Sequence, residues 1–213
     1  MSELAKLFDE TVAATDLSDK QKAVLKASLQ LFAAKGFDNT STADIAAAAH
    51  VSEGTVYKHF KTKDQLLAAV MRPFVRQVVP RVAGDFIARI QGQAAPDFGT
   101  FLHYVIKDRL QFAQENRAEA KIFLGELMHD QAMLDMLLKD FQQVAQGPLT
   151  AIFQHYQATG EVVEWPVSEV FWTFLGVMAG HAVPLILMPS NKFDLERAAD
   201  EATAVLVQGL RPA

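Results

Sequence analysis

Apolar side chains recur every three or four residues along most of the chain, which is the period of an amphipathic α-helix. After Ser18, for example, Leu25, Leu29 and Phe32 fall on one side of such a helix, and Gly36 marks its end. Runs of alternating β-branched residues and Asn-Gly or Asp-Gly hairpin signals do not occur. The pattern therefore predicts an all-α fold of about nine helices.

Capping residues mark where several of these helices begin. Ser18 with Gln21, Ser41 with Asp44, and Thr62 with Gln65 have the spacing at which two side chains satisfy each other's free backbone donors, and Ser52 can cap alone. Together with the apolar period, they predict helices over 3–14, 19–35, 42–49, 53–60, from 63 onward, 98–115, 117–129, 131–158, 167–188 and 194–209. Residues 91–99 are predicted to form a loop, and Gly147-Pro148 to interrupt the helix over 131–158.

The helix that begins near residue 63 contains two prolines in a continuing apolar pattern, Pro73 and Pro80. Proline inside a helix removes one hydrogen bond and clashes with the preceding turn. This helix is therefore expected to be either kinked or divided.

Charge is distributed unevenly along the chain, whose formal net charge is -5. Residues 1–72 hold nine basic and nine acidic side chains, so the acidity belongs to residues 73–213. This difference supports two domains, 1–65 and 66–213. The chain has no cysteine, which excludes disulfides, thiolate metal sites and cysteine nucleophiles. The mixed charge of the first ten residues does not resemble a secretory signal, so a cytoplasmic location is expected.

One segment is long enough to cross a membrane. Residues 170–188 contain no Asp, Glu, Lys or Arg, and 19 residues is close to the length that spans a bilayer. His181 and Pro184 interrupt this segment, and no basic cluster flanks it. A helix that is apolar on all sides can also be buried within a helical bundle. We favour the buried helix, with a membrane-tethered protein as an alternative.

Two short predicted helices, 42–49 and 53–60, are separated by a tight turn at His50-Val51. This is the pattern of a helix-turn-helix, whose second helix enters the major groove of DNA and meets base edges with its N-terminal residues. Small apolar residues, Ala46 to Ala49, permit the two helices to cross closely. The basic side chains that follow, within a chain of acidic net charge, suit contacts with a few phosphates.

Residues 36–67 resemble the DNA-binding signature of the TetR family of transcriptional regulators. The resemblance rests on Gly36-Phe37, Thr40-Ser41, Ile45-Ala46, Ala49, Val51-Ser52, Gly54-Thr55, Tyr57, His59-Phe60, Lys63 and Leu66. It implies a three-helix DNA-binding domain followed by a helical ligand-binding and dimerisation bundle. It further implies a homodimer formed through residues about 167–209, a double-stranded palindromic DNA operator and a small-molecule effector that releases it. The family usually has glycine where this chain has His50, at a position that often needs a positive φ.

The resemblance and the chemistry of the side chains together predict the DNA contacts. Tyr57, His59 and Lys63 are expected to bind phosphates, and Thr55 is the main candidate for a base edge, with Glu53 able to accept a hydrogen bond from cytosine N4. The full predicted set is Ser41, Thr42, Ser52, Glu53, Gly54, Thr55, Tyr57, Lys58, His59 and Lys63.

The C-terminal domain contains many aromatic residues, and most of them are expected to be ordinary core. The family resemblance implies a small-molecule pocket among its helices, for which we predict His103, Tyr104, Phe112, Phe123, Tyr156, Trp172 and His181. The spacing of the six histidines, and the absence of a nucleophile elbow or a phosphate loop, give no support to a metal site, a cofactor or catalysis. A repressor that is not an enzyme is thus the expected function. A helical enzyme or ligand carrier with an incidental helix-turn-helix is the other alternative.

Overall fold

The computed structural model describes residues 1–91, 95–147, 149–188 and 193–212, and within these ranges the ordered backbone is helical and contains no strand. This confirms the all-α prediction. The helices are α1 (Glu3–Ala13), α2 (Asp19–Lys35), α3 (Thr42–Ala48), α4 (Glu53–His59), α5 (Lys63–Pro73), a π-helical segment (Phe74–Val78), α6 (Val79–Gln91), α7 (Phe98–Glu115), α8 (Arg117–Leu127), α9 (Gln131–Gln146), α10 (Thr150–Ala158), α11 (Val167–Leu187) and α12 (Leu195–Gly209).

The described residues contain thirteen helical segments where ten ranges were predicted, because two of the predicted long stretches are subdivided. The stretch over 131–158 ends its first helix at Gln146 and begins the next at Thr150, as the Gly147-Pro148 pair predicts, although Pro148 itself lies outside the described residues. Part of the predicted loop over 91–99, residues 92–94, also lies outside them.

The two prolines do not divide their helix with a loop. The backbone stays helical from residue 63 to residue 91, but the turn between Pro73 and Val79 widens into a π-helix, in which Val79 N–H donates to the carbonyl of Phe74. In a regular α-helix the ring of Pro80 would meet the carbonyl of Arg76. The wider turn gives the proline room, so the hydrogen-bond register changes and the helix continues.

Most predicted caps are present. Ser18 and Gln21 form a full capping box, as do Ser41 and Asp44. Thr62 Oγ1 accepts from Gln65 N–H at 3.1 Å. The prediction of a full capping box is wrong here, because the Gln65 side chain accepts from Lys61 N–H at 3.1 Å and not from Thr62 N–H.

The chain forms two compact units. The first consists of Met1–Val82 and Ala118–Met133, and so contains the whole of the predicted DNA-binding domain over 1–65. Its core includes fully buried side chains from α1, α2, α5 and the π-helical segment, among them Phe8, Phe32, Leu66 and Phe74. Helix α8 joins this unit: Ser2 Oγ donates to Glu119 at 2.7 Å, and the rings of Phe74 and Phe123 lie 5.9 Å apart.

The second unit consists of Ala83–Arg117 and Leu134–Ala213. Helices α7, α11 and α12 pack against one another at its centre, with α10 against α11. Its core includes the buried residues Phe98, Leu102, Ile106, Leu110, Phe153, Val170, Ala199 and Leu206.

Helix α11 is the one described helix that is long and apolar enough to cross a membrane, and only 22% of its most apolar 18-residue window is buried within the chain. Val170, Phe171, Met178 and Leu185 form its buried face. The sequence predicted that this helix is buried on several sides, whereas the chain by itself covers one face and leaves much of the helix exposed.

Candidate DNA-binding and effector-binding sites

Helices α3 and α4 form a helix-turn-helix packed on α2. Ile45 and Val56 are completely buried and Ala49 is 7% exposed, which places these three residues in the core of the motif. Val51 is half-buried in the turn. The two short helices are therefore held by apolar contacts, and their polar N-terminal residues face outward.

The turn between these helices is a Schellman motif centred on His50. Val51 N–H donates to the carbonyl of Ala46 at 3.0 Å, and His50 N–H donates to that of Ala47 at 3.2 Å. These two bonds close the C-terminus of α3 and require a left-handed residue between them. His50 has φ of 54° and is the only non-glycine residue with positive φ in the part of the chain that the structure describes. The prediction of a positive φ at this position is thus confirmed.

The N-terminus of α4 is capped by its own polar side chains. Thr55 N–H donates to Ser52 Oγ at 3.2 Å, as predicted, and the two hydroxyls lie 2.9 Å apart. Glu53, Gly54 and Ser52 are exposed, whereas Thr55 is half-buried. The first turn of α4 therefore presents a carboxylate and small side chains to solvent.

Side chains from α3 and α4 are joined by a polar cluster on this exposed surface. Thr42 Oγ1 donates to Glu53 Oε1 at 2.8 Å and lies 3.1 Å from the hydroxyl oxygen of Tyr57. Three of the predicted DNA contacts are thereby brought together. The bond from Thr42 also fixes the direction of the Glu53 carboxylate, which otherwise sits on a freely rotating side chain.

Lys63 Nζ donates to the carbonyls of Phe37 at 2.8 Å and Asp38 at 3.4 Å, and it lies 4.3 Å from the centre of the Phe37 ring. The ammonium group thus joins the start of α5 to the loop between α2 and α3. The predicted phosphate contact remains a prediction, and the structure adds a role within the fold that the sequence did not indicate.

Further along α4, Tyr57, Lys58 and His59 are exposed, and 47% of the Tyr57 surface is accessible. Ser41 lies at the N-terminus of α3, where its side chain bonds Asp44 N–H. The hydrogen bonds from Ser41 lower the pKa of the Asp44 carboxyl, with a smaller effect from Lys35. Nine of the ten predicted DNA contacts therefore belong to α3, α4 or the residues that cap them, and the tenth, Lys63, is the first residue of α5.

The profile of the family described as "Bacterial regulatory proteins, tetR family" matches residues 24–70, from the middle of α2 to α5. This segment of the chain is therefore similar to the TetR family. The match covers the helix-turn-helix and the two helices that hold it.

Curated relatives of this chain agree with it most closely in the same segment. An HTH-type transcriptional repressor from Mycobacterium tuberculosis is 51% identical over 49 residues, which are 23% of this chain and 26% of the relative. The chain thus matches about a quarter of the length of such relatives. Two regulators match over much more of their length. YvkB of Bacillus subtilis is 22% identical over 89% of this chain and 96% of the relative. AcrR of Shigella flexneri is 22% identical over 91% of this chain and 90% of the relative.

Solved structures share the fold of this chain. A transcriptional regulator of the TetR/AcrR family from Thermobifida fusca has a TM-score of 0.62 at 20% identity, covering 92% of this chain and all of that chain. The regulator FadR from Bacillus subtilis, in complex with stearoyl-CoA, has a TM-score of 0.61 at 21% identity, covering 89% and 98%. Identities this low establish the fold alone.

The second unit of the chain contains a cavity of about 350 Å³. Tyr156 is the only predicted effector residue that lines it; the other lining residues are Ile90, Gln91, Phe101, Ala151, Ile152 and His155. Tyr156 is 5% exposed, and its ring lies 5.6 Å from that of Phe101 and 5.2 Å from that of His155. Burial, followed by the charges of Glu161 and Asp97, raises the pKa of the Tyr156 hydroxyl, which stays protonated and able to donate.

The other predicted effector residues lie elsewhere. His103 Nε2 is 3.1 Å from Asp200 Oδ1, and the guanidinium of Arg109 lies 4.8 Å from the centre of the Phe112 ring. Trp172 is 43% exposed on α11, while Tyr104 and His181 are half-buried. Phe123 lies in the first unit, against Phe74.

Sequence reasoning missed His155 and Phe101 as cavity residues. His155 precedes the predicted Tyr156, which lines the cavity, and Phe101 lies two residues before the predicted His103. The helical period could have identified Phe101. Phe101 and His103 project from α7 in directions about 200° apart, so both cannot face the same cavity.

Proposed function

We propose that this protein is a DNA-binding transcriptional regulator that represses its target genes and acts in the cytoplasm. The observation that carries the proposal is the helix-turn-helix: a recognition helix capped at its N-terminus, with Glu53 and Gly54 exposed there and Thr55 beside them. Such a helix presents its first turn to base edges, while the flanking hydroxyl and basic groups bind phosphates. The curated relatives, all named as transcriptional regulators, support a role other than catalysis.

The active form in this proposal is a homodimer built on α11 and α12. Exposed apolar side chains on these helices and the residue after α11, namely Trp172, Leu187, Met188 and Val205, support a surface that a second protomer covers. Gly176 and Gly180 on α11 have open space where a side chain would project, which permits close approach of another helix. A two-fold dimer would recognise a near-palindromic operator with half-sites about one DNA turn apart.

The effector in this proposal is a small molecule that binds the cavity beside Tyr156. Apolar walls with a few polar groups, here the tyrosine hydroxyl and the His155 imidazole, are typical of ligand pockets. The stearoyl-CoA complex of FadR, a protein of the same fold, supports a ligand-responsive regulator without identifying the ligand of this chain. An effector that binds the DNA-incompetent state more tightly would shift the population away from the operator.

Selection of bound DNA from a random pool, followed by gel-shift titration of the selected sequence, tests this function. The expected outcome is a near-palindromic motif, bound with an affinity that falls steeply with salt because phosphate contacts release counterions. Reversing an exposed charge on the recognition helix, Lys58→Glu, should weaken DNA binding at least tenfold. The matched control Lys139→Glu, at an exposed position of α9, should leave DNA binding unchanged. Failure to select any motif, with salt-independent or absent DNA binding, would refute the proposal.

A further inference from the structure

The first compact unit contains a cavity of its own, about 810 Å³ in volume. The end of α2 and the loop that follows it form one wall, through residues 32–39. Asp64 and Leu67 of α5 form a second wall, and α8 with the following His129 forms the third. The volume lies within the range of sites that bind small organic molecules.

The inner surface of this headpiece cavity is partly apolar and partly aromatic. Leu67 and Phe32 are nearly fully buried beneath it, and Ile122 is half-buried on α8. The Phe32 and Phe37 rings meet edge to face with their centres 5.3 Å apart. A ligand of this cavity would therefore have an apolar body.

Three carboxylates and two ammonium groups line the headpiece cavity, and a third ammonium group, that of Lys63, lies 4.3 Å from the centre of the lining Phe37 ring. Asp38, Asp64 and Glu126 line it, together with Lys35 and Lys121. Lys35 Nζ lies 3.8 Å from Asp44 Oδ1, a carboxylate outside the lining, so part of its charge is already neutralised. The side chain of His129 is held by its own helix end, with Nδ1 2.8 Å from the carbonyl of Gly125.

Glu126 is the carboxylate that α8 contributes to this cavity. Its half-buried position raises its pKa; His129 acts in the opposite direction, and the nearby charges of Asp130 and Asp64 raise the pKa further. Two carboxylates from different helices, α5 and α8, thus interact unfavourably across the cavity. A positive charge placed between them would remove the repulsion and compensate the cost of burial.

We propose that the headpiece cavity binds an organic cation with an apolar body. Its ammonium group lies near Glu126 and Asp64, and its apolar part lies against Phe32, Leu67 and Ile122. In the described residues no group of three His, Asp or Glu side chains is arranged to hold a metal ion, so the cation is expected to be organic. This site is distinct in residues from the cavity beside Tyr156.

The cavity is formed by the segments that hold the recognition helix. The loop after α2 leads directly into α3, and the same loop is bonded by Lys63 at the start of α5. A bound cation would tie this loop to α8 and thereby change the affinity for DNA. This regulatory consequence rests on the proposed function, whereas the binding site itself does not.

Nuclear magnetic resonance of the full chain labelled with ¹⁵N tests the site, with benzyltrimethylammonium as the probe and phenylacetate as a comparator of opposite charge. We expect saturable shifts at the amides of residues 36–39 and 121–126 with the cation and none with the anion. Glu126→Gln, which keeps the shape and removes the charge, should weaken binding about threefold to tenfold. Gly125→Phe should abolish it, because a side chain at Gly125 enters open space in the cavity wall without a clash.

Two matched controls separate cavity effects from general ones. Gly84→Phe also adds a side chain to an exposed helical glycine with open space around it, and Glu164→Gln removes an exposed carboxylate in the second unit. Both should bind the probe as the natural chain does. Absence of saturable shifts, equal binding of phenylacetate, or unchanged binding by Glu126→Gln and Gly125→Phe would overturn the site.

The regulatory consequence has a separate readout, the affinity for the selected operator with and without the probe. A change in the natural chain that disappears in Gly125→Phe supports it. Probe binding without any change in operator affinity would overturn the regulatory role and leave the site standing. A chain that binds the probe but no DNA would instead refute the proposed function.

Discussion

Replacing His50 by glycine should stabilise the fold. A residue with a Cβ atom in the left-handed region costs about 1–2 kcal/mol, and His50 has φ of 54°. Glycine avoids this cost but loses more chain entropy on folding, which offsets about 0.5–1 kcal/mol. The imidazole is exposed, and no hydrogen bond of its side chain is found among the described residues, so little else is lost. We expect His50→Gly to be more stable by about 0.5–1 kcal/mol.

Thermal unfolding followed by circular dichroism measures this difference. For a chain of about 200 residues, the melting temperature should rise by about 1–4 °C, compared at one protein concentration because a dimer melts at a concentration-dependent temperature. His50→Ala keeps the Cβ atom and should bring no gain. His155→Gly, inside α10 where φ is negative, should lower stability by about 1 kcal/mol.

The reasoning would be refuted if His50→Gly melted no higher than the natural chain, or if His50→Ala gained as much. A gain in stability accompanied by weaker operator binding would show why histidine stands at this turn, since the imidazole would then contact DNA. An unchanged affinity would make it only a tolerated turn residue.

Three further predictions follow from the same unit and from α7. Lys63→Met should lower the free energy of unfolding by about 1 kcal/mol in a melting experiment, because the bond to the Phe37 carbonyl is lost. In gel shifts on specific and random DNA it should weaken binding to all sequences alike, and a change in sequence preference alone would contradict the phosphate assignment. Glu53→Gln keeps an acceptor for Thr42 and should move the preferred base at its position from cytosine towards adenine in a random-pool selection; an unchanged motif would mean that Glu53 reads no base. Asp97 has a lowered pKa, chiefly through its bond from the backbone of Thr100, so its contribution to stability is present above the ordinary carboxyl pKa and is lost as the pH falls through the lowered value. Asp97→Asn should therefore melt below the natural chain at neutral pH, and the difference should shrink on acidification. Identical pH profiles of the two chains would exclude Asp97 as a contributor.

Local chemistry made much of the fold predictable. The hydroxyls of Ser18, Ser41 and Ser52 cap helices where they were expected to, because a cap depends on residues within one turn of each other. The positive φ of His50 was also predictable, since the tight turn between two short helices leaves few backbone conformations.

Two features could not be predicted from the sequence: how the backbone accommodates the two prolines, and to which compact unit α8 belongs. Proline rules predict a kink or a break at Pro73 and Pro80, but whether a helix widens into a π-turn depends on the packing of the residues between them, here the buried Phe74, Val75 and Val78. Phe123 has the period of a core residue wherever α8 docks, so periodicity could not tell that α8 returns to the first unit. The choice of Phe123 as an effector residue rested on that missing information.

The position of the tryptophans makes the uncovered surface of α11 directly observable. The chain has two, Trp165 just before α11 and Trp172 within it, and they are 44% and 43% exposed in a single protomer. All tryptophan emission therefore originates at one end of one helix. Covering that end would shift the emission maximum to shorter wavelengths, so the spectrum of the unmodified protein, followed during dilution, reports assembly through α11 without any added label.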